Sequence, residues 1–208
     1  MFAPGAVRWI GPPLALGTLL AALAAARVIP DPILGGVVAA LALAVATFLA
    51  VFFRDPARVP AAGIVSAADG RVRAVERSGD RLLVSVFMNV YDVHVNRMPL
   101  DATVESMEAA GAGYRPAYRS DAAGNVRRHY RLSTGIGPVE VVQITGAVAR
   151  RCVPFVAVGD RVAKGAPFGM IVLGSRVDVW LPAARVVATV APGDRVRAGA
   201  SPIAREAA

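Results

Sequence analysis

The chain has 208 residues, 55% of them hydrophobic, with a mean hydropathy of +0.52. That is too apolar for an ordinary soluble domain of this length and points to membrane segments joined to one compact core. Twenty-three basic against fifteen acidic residues give a net charge of +8, of which residues 1–53 hold only +1, so the remainder favours an anionic partner; with membrane segments attached that partner is lipid, and no arginine run interleaved with aromatics argues for nucleic acid.

Residues 1–53 read as a membrane module, a transmembrane helical hairpin. Its second span, residues 33–53, is twenty-one residues without a charge, enough to cross a hydrocarbon core of about 30 Å as a helix. The first candidate span, residues 12–29, has an uncharged stretch of only fifteen residues, 12–26. It fits a short span, a re-entrant segment or the core of a signal peptide. Arg27, Pro30 and Pro32 break the chain between the two. Arg54 and Arg58 follow the second span, which by the positive-inside tendency keeps residues 54–208 on the cytoplasmic face of the cell membrane.

From Arg54 onward, short β-branched runs alternate with Gly, Asp and Pro, the pattern of a β-rich domain, all-β to α+β. Residues 82–88, 139–149, 168–173, 177–181 and 186–190 are the strand candidates, whereas 107–112 shows no readable period. The single Cys152 excludes an intrachain disulfide and is read as a small buried hydrophobe in a strand. The pattern Gly159-Asp160-Arg161-Val162-Ala163-Lys164-Gly165 returns thirty-four residues later as Gly193-Asp194-Arg195-Val196-Arg197-Ala198-Gly199, with a partial third copy at Asp69-Gly70-Arg71-Val72. These turns resemble those of biotinyl and lipoyl carrier domains and imply a symmetric barrel-sandwich. A carrier needs a modifiable lysine at its hairpin tip, and Lys164, the only lysine, lies inside a turn repeat. A membrane-anchored adaptor without catalysis stays open as an alternative.

The candidate tip is Leu173-Gly174-Ser175-Arg176, a Gly-Ser bond in a tight connection between two apolar strands. Around it, in order, stand Val65-Ser66-Ala67-Ala68-Asp69-Gly70, Ser85-Val86-Phe87-Met88, Asp92-Val93-His94-Val95-Asn96-Arg97-Met98-Pro99, Gln143-Ile144-Thr145-Gly146, Ala149-Arg150-Arg151 and Phe168-Gly169-Met170-Ile171. Taken together, these pieces resemble phosphatidylserine decarboxylase proenzymes of the short form.

The resemblance implies a self-processing carboxy-lyase that makes phosphatidylethanolamine. Ser175 Oγ would attack the Gly174 carbonyl and turn the amide into an ester. Elimination would then leave dehydroalanine, which hydrolyses to a pyruvoyl group and ammonia. Two associated chains, 1–174 and 175–208, would result. The pyruvoyl at Ser175 would be the cofactor and Schiff-base site, in place of pyridoxal phosphate or a metal. Glycine before the serine suits the close approach that the attack requires.

Serine needs a base, and there are only two histidines. His94 matches the family's histidine motif and is the candidate for proton transfer; Asp69 is the candidate that orients and charges its imidazole. If the segment is extended, Asp92, His94 and Asn96 share one face. Longer relatives carry a second histidine where this chain has Arg97, which is read with Arg176 as a substrate-binding contact, since arginine can fork onto carboxylate or phosphate. The family's Asn-Glu-Arg element is reduced here to Asn125-Val126-Arg127, and His129 reads as a solvated basic loop residue. Phosphatidylserine and membrane lipid are the expected partners. A homo-oligomer stays open, as does a pyruvoyl decarboxylase of a soluble amino acid.

Overall fold

The computed structural model describes residues 1–113, 124–146, 151–172 and 175–207. It divides into two compact units, Met1–Pro56 and Ala57–Ala208. In the first, α1 (Val7–Ala25) and α2 (Pro32–Phe52) are both long and apolar enough to cross a membrane. α1 starts earlier than the expected span, takes in Arg8, and accommodates Pro12 and Pro13 within its length. Asp31 caps α2 by accepting hydrogen bonds from the Ile33 and Leu34 N–H groups at 3.0 Å. Gly17 of α1 and Ala39 and Ala46 of α2 are buried, small residues that let two helices approach closely.

The second unit is β-rich. Its described strands are β1 (Ile64–Val65), β2 (Gly70–Ser78), β3 (Arg81–Met88), β4 (Val95–Arg97), β5 (Ala102–Ala110), β6 (Arg127–Thr134) and β7 (Gly137–Thr145). They continue with β8 (Cys152–Pro154), β9 (Arg161–Val162), β10 (Pro167–Ile171), β11 (Ser175–Pro182), β12 (Val186–Ala188), β13 (Arg195–Val196) and β14 (Pro202–Glu206). One curled antiparallel sheet runs β13-β2-β3-β11-β7-β6-β5-β9, and two small sheets run β1-β14-β12 and β4-β10-β8. Alternation along β2 and β11 turns Val72, Val177, Val179 and Leu181 into a core shared with Val84, Val86, Leu132, Phe168 and Ile203.

The sheet order reads the same when β2 is exchanged with β5, β3 with β6, β11 with β7 and β13 with β9, so the unit has an internal two-fold relation. The glycine-aspartate repeats are its hinges. Asp160 Oδ2 accepts the Ala157 N–H and Asp194 Oδ2 accepts the Ala191 N–H, each at 2.8 Å. The Gly159 and Gly193 N–H groups donate to the Val104 and Val72 carbonyls at 2.8 Å, the Val104 and Val72 N–H groups donate back to the Asp160 and Asp194 carbonyls, and both glycines have positive φ, 93° and 100°. Both hairpins even carry an irregularity at the matching place, between Val72 and Ala74 and between Val104 and Ser106. Asp69-Gly70 is no third turn: Gly70 opens β2 and pairs with Val196.

Residues 168–173 and 177–181 were expected to flank a hairpin, and the structure corrects this. β10 pairs with β4 and β8, whereas β11 pairs with β3 and β7. Consecutive in sequence, they belong to different sheets, and Ser175 is the first residue of an interior strand. The unreadable stretch 107–112 falls largely in β5, whose outward positions Glu105 and Glu108 mask the alternation.

Candidate active site

Ser175 is fully buried and opens β11, with Met88 of β3 on one side and Thr145 of β7 on the other. Its hydroxyl donates to the Met88 Sδ at 3.3 Å, a soft, weak acceptor that leaves the oxygen little stabilised in place. Gly70 lies on the far side of Met88: a Cβ there would come within 2.0 Å of the Phe87 carbonyl oxygen, and its φ of +146° disfavours any side chain. The Asp-Gly motif is thus a close backbone approach beside the serine's neighbour. Leu173 and Gly174, the other half of the candidate bond, lie outside the described residues, as do Ala149 and Arg150.

The histidine motif arrives at the same sulfur from the small sheet. Asn96 Nδ2 contacts Met88 Sδ at 3.7 Å, and the Ile171 N–H, four residues before the serine, donates to the His94 carbonyl at 3.3 Å. His94 is fully buried, and its Nδ1 lies 2.8 Å from the Asp92 carbonyl oxygen. A carbonyl only accepts, so Nδ1 carries the hydrogen and Nε2 is the ring's acceptor nitrogen.

The model of the family described as phosphatidylserine decarboxylase matches residues 45–204. The chain belongs to that family. A phosphatidylserine decarboxylase proenzyme of Thermobifida fusca is 43% identical over 166 residues, covering 79% of this chain and 76% of that protein. A putative archaetidylserine decarboxylase proenzyme of Methanopyrus kandleri is 41% identical across 99% of both chains. A Streptomyces avermitilis phosphatidylserine decarboxylase proenzyme is 42% identical over 81% of this chain and 79% of its own length. The protein is accordingly a carboxy-lyase of the self-processing proenzyme kind.

For this phosphatidylserine decarboxylase family member, the remaining expected residues have distinct surroundings. Asp69 is buried; its carboxylate accepts from the Ala198 N–H at 2.7 Å and from Arg58 Nη2 at 2.9 Å, which compensates the charge and ties the 193–199 turn to the start of β2. Asp92 does not continue the β4 strand toward His94, as an extended reading expects. It sits in a turn, accepting the Asn89 N–H at 2.8 Å and pairing with Arg195 at 3.2 Å.

Arg97, expected at the head group, is buried with Nη1 donating to the Gly165 carbonyl at 2.8 Å, and its Cδ would lie 2.7 Å from a Cβ at Gly199. Its described contacts join the two repeat turns. Arg176 was expected to flank the serine. Strand alternation instead puts it on the opposite face of β11, paired with Asp178 at 3.0 Å. Asp178 also accepts from Ser85 Oγ at 2.5 Å, and burial raises its pKa although Arg176 and Ser85 pull the other way. His129 is no loop residue: it stands on β6, with Nδ1 2.6 Å from Glu140. Burial pushes the Cys152 thiol up to about 12, as expected of an unreactive core cysteine.

Sequence reading assigned no role to Asn96, Gln143 or Tyr130, yet they form a buried hydrogen-bonded chain. Tyr130 Oη donates to Gln143 Oε1 at 3.0 Å, and Gln143 Nε2 donates to Asn96 Oδ1 at 2.7 Å. Asn96 in turn reaches the Met88 sulfur. A Cβ at Gly169 would come within 3.1 Å of Gln143 Nε2 and 3.2 Å of Tyr130 Oη, so the glycine of the Phe168-Gly169-Met170 element makes room for this chain. The sequence signal was a polar residue on an otherwise apolar strand face, Val139, Val141 and Gln143.

Proposed function

We propose that the protein decarboxylates phosphatidylserine to phosphatidylethanolamine after cutting its own Gly174–Ser175 bond. The observation that carries this is the fully buried Ser175, resting on a thioether that the histidine motif also touches. Ser175 Oγ attacks the Gly174 carbonyl carbon, the C–N bond breaks, and the acyl group moves to oxygen with release of the amine. Loss of the α proton then expels the Gly174 carboxylate and leaves dehydroalanine. Its imine form takes up one water and releases ammonia, so residue 175 becomes a pyruvoyl group.

In this reading His94 Nε2 removes the proton of Ser175 and later serves proton transfer on the substrate. Asp69, one residue from the Gly70 that abuts Met88, is assigned to orienting the His94 imidazole. A pyruvoyl group fits this place: Ser175 is wholly buried between two strands, so a ketone formed there is shielded from hydration. When present, it supplies the carbonyl that accepts the electron pair left by departing carbon dioxide. Arg97 and Arg176 are given no substrate contact, because their described partners are Gly165 and Asp178.

The apolar helices fix the catalyst at the membrane, and Arg54 and Arg58 favour the cytoplasmic side. The symmetric curled sheet supports reading the domain as a biotinyl/lipoyl-like barrel-sandwich, but Lys164 Nζ donates to the Ala61 and Gly63 carbonyls at 3.0 and 3.3 Å, which is no carrier lysine's environment. The test is Ser175→Ala. The variant is expected to stay one chain and release no carbon dioxide from phosphatidylserine vesicles, while wild type runs as two pieces. A processed or active Ser175→Ala protein would contradict the proposal, and release from free amino acids alone would assign a soluble substrate.

A further inference from the structure

The catalytic unit exposes few large hydrophobic side chains among its described residues, and only Val90 and Tyr91, 49% and 56% exposed, are consecutive. They occupy the two central positions of a turn closed on both sides: the Asp92 N–H donates to the Asn89 carbonyl at 3.0 Å and the Asn89 N–H to Asp92 Oδ2 at 2.8 Å. The turn leaves β3 directly after Met88, against which Ser175 rests, and leads into His94. An apolar apex is therefore held by two hydrogen bonds on the segment that joins Met88 to His94.

Its surroundings are cationic. Arg195 pairs with Asp92, remains 61% exposed along its side chain, and has its guanidinium 5.9 Å from the Tyr91 ring. Arg71, opposite Arg195 in the sheet, and Arg197 are exposed as well. Of the nearby acids, Asp69 and Asp92 are buried and compensated by Arg58 and Arg195, and the exposed Asp194 caps the Ala191 N–H, so the arginines outnumber the uncompensated carboxylates. An aromatic and an aliphatic side chain beside exposed arginines is the chemistry of an interfacial anchor: the ring and methyls enter the head-group boundary while the guanidinium groups meet phosphates.

We propose that the Asn89-Val90-Tyr91-Asp92 turn, with Arg71, Arg195 and Arg197, is a docking surface for an anionic lipid bilayer, one that seats the segment between Met88 and His94 on the head groups. This rests on the lipid-substrate reading above, and it adds a contact apart from the apolar helices.

Full-length protein carrying Val90→Cys in a Cys152→Ala background, labelled with an environment-sensitive fluorophore, tests it in nanodiscs of phosphatidylcholine with and without phosphatidylglycerol. Tyr91→Cys is the second variant should the first not fold, and Val187→Cys on β12 is the control. The label at 90 or 91 should shift to the blue and be quenched by lipids bearing a shallow doxyl group, more strongly with phosphatidylglycerol, and the label at 187 should not. Combined Arg195→Glu and Arg197→Glu should reduce that quenching severalfold. Val90→Asp should raise KM for phosphatidylserine in nanodiscs about tenfold, with kcat kept. A label at 90 and 91 as open to aqueous iodide in anionic discs as in detergent overturns the proposal, as does protection that appears only with added cell protein. Quenching without decarboxylation would sink the catalytic reading and leave docking standing; decarboxylation without quenching would do the reverse.

Discussion

Met88 organises the site at the level of single residues, although a thioether has no acid–base chemistry of its own. Its sulfur meets the Ser175 hydroxyl on one side and the Asn96 carboxamide on the other. Behind Asn96, Gln143 and Tyr130 complete a buried polar chain in which each amide is paired. Gln143→Leu would leave the Tyr130 hydroxyl and the Asn96 amide buried without that partner, so it should cost about 2 kcal/mol in denaturant midpoint experiments and slow chain cleavage. Cys152 gives a pH-dependent check. With burial holding its pKa near 12, the thiolate is scarce throughout the neutral range and gains only as pH climbs toward that value. Native protein at pH 8 should therefore resist iodoacetamide, and unfolded protein, with an ordinary thiol, should react readily.

Matching hairpins give the elements a symmetry that the connection into β11 breaks. β6 passes to β7 through the tight turn between Thr134 and Gly137. The corresponding end of β3 is followed in the sheet by β11, a strand the chain reaches only after crossing the small β10 sheet. The bond before Ser175 thus lies where one half of the fold has a turn and the other has an arriving strand. Much of this was legible. The turn repeats revealed the two halves because Gly and Asp are demanded by φ and by capping of the preceding N–H, both local needs.

Strand partnership was not legible, because the apolar runs at 168–173 and 177–181 say nothing of which neighbours they find. The same limit hid the face of Arg176, set by the register of β11, and the turn at Asp92, where the period-2 pattern continues through residues that do not form a strand. Two predictions belong here. Asp160→Ala and Asp194→Ala should each cost about 1 kcal/mol and add nearly independently in the double variant. Gly70→Ala should cost roughly 3 kcal/mol, through strain and the clash with Phe87, and impair chain cleavage with it.

Taken as a whole, the molecule should tolerate a broken chain at residue 174. The segment 175–208 supplies β11 in the middle of the large sheet, β13 at its edge, and β12 and β14 of a small sheet, so its hold on the remainder is cooperative. The two pieces should co-elute under native conditions and separate only in denaturant. The central claim, that the protein makes its electrophile from its own backbone, is tested most directly by the intact mass of the purified, active protein. The account predicts two chains, ending at Gly174 and beginning at residue 175, the latter with a blocked, carbonyl-bearing N-terminus. An active preparation consisting of one unbroken chain with an ordinary serine at 175 would contradict it.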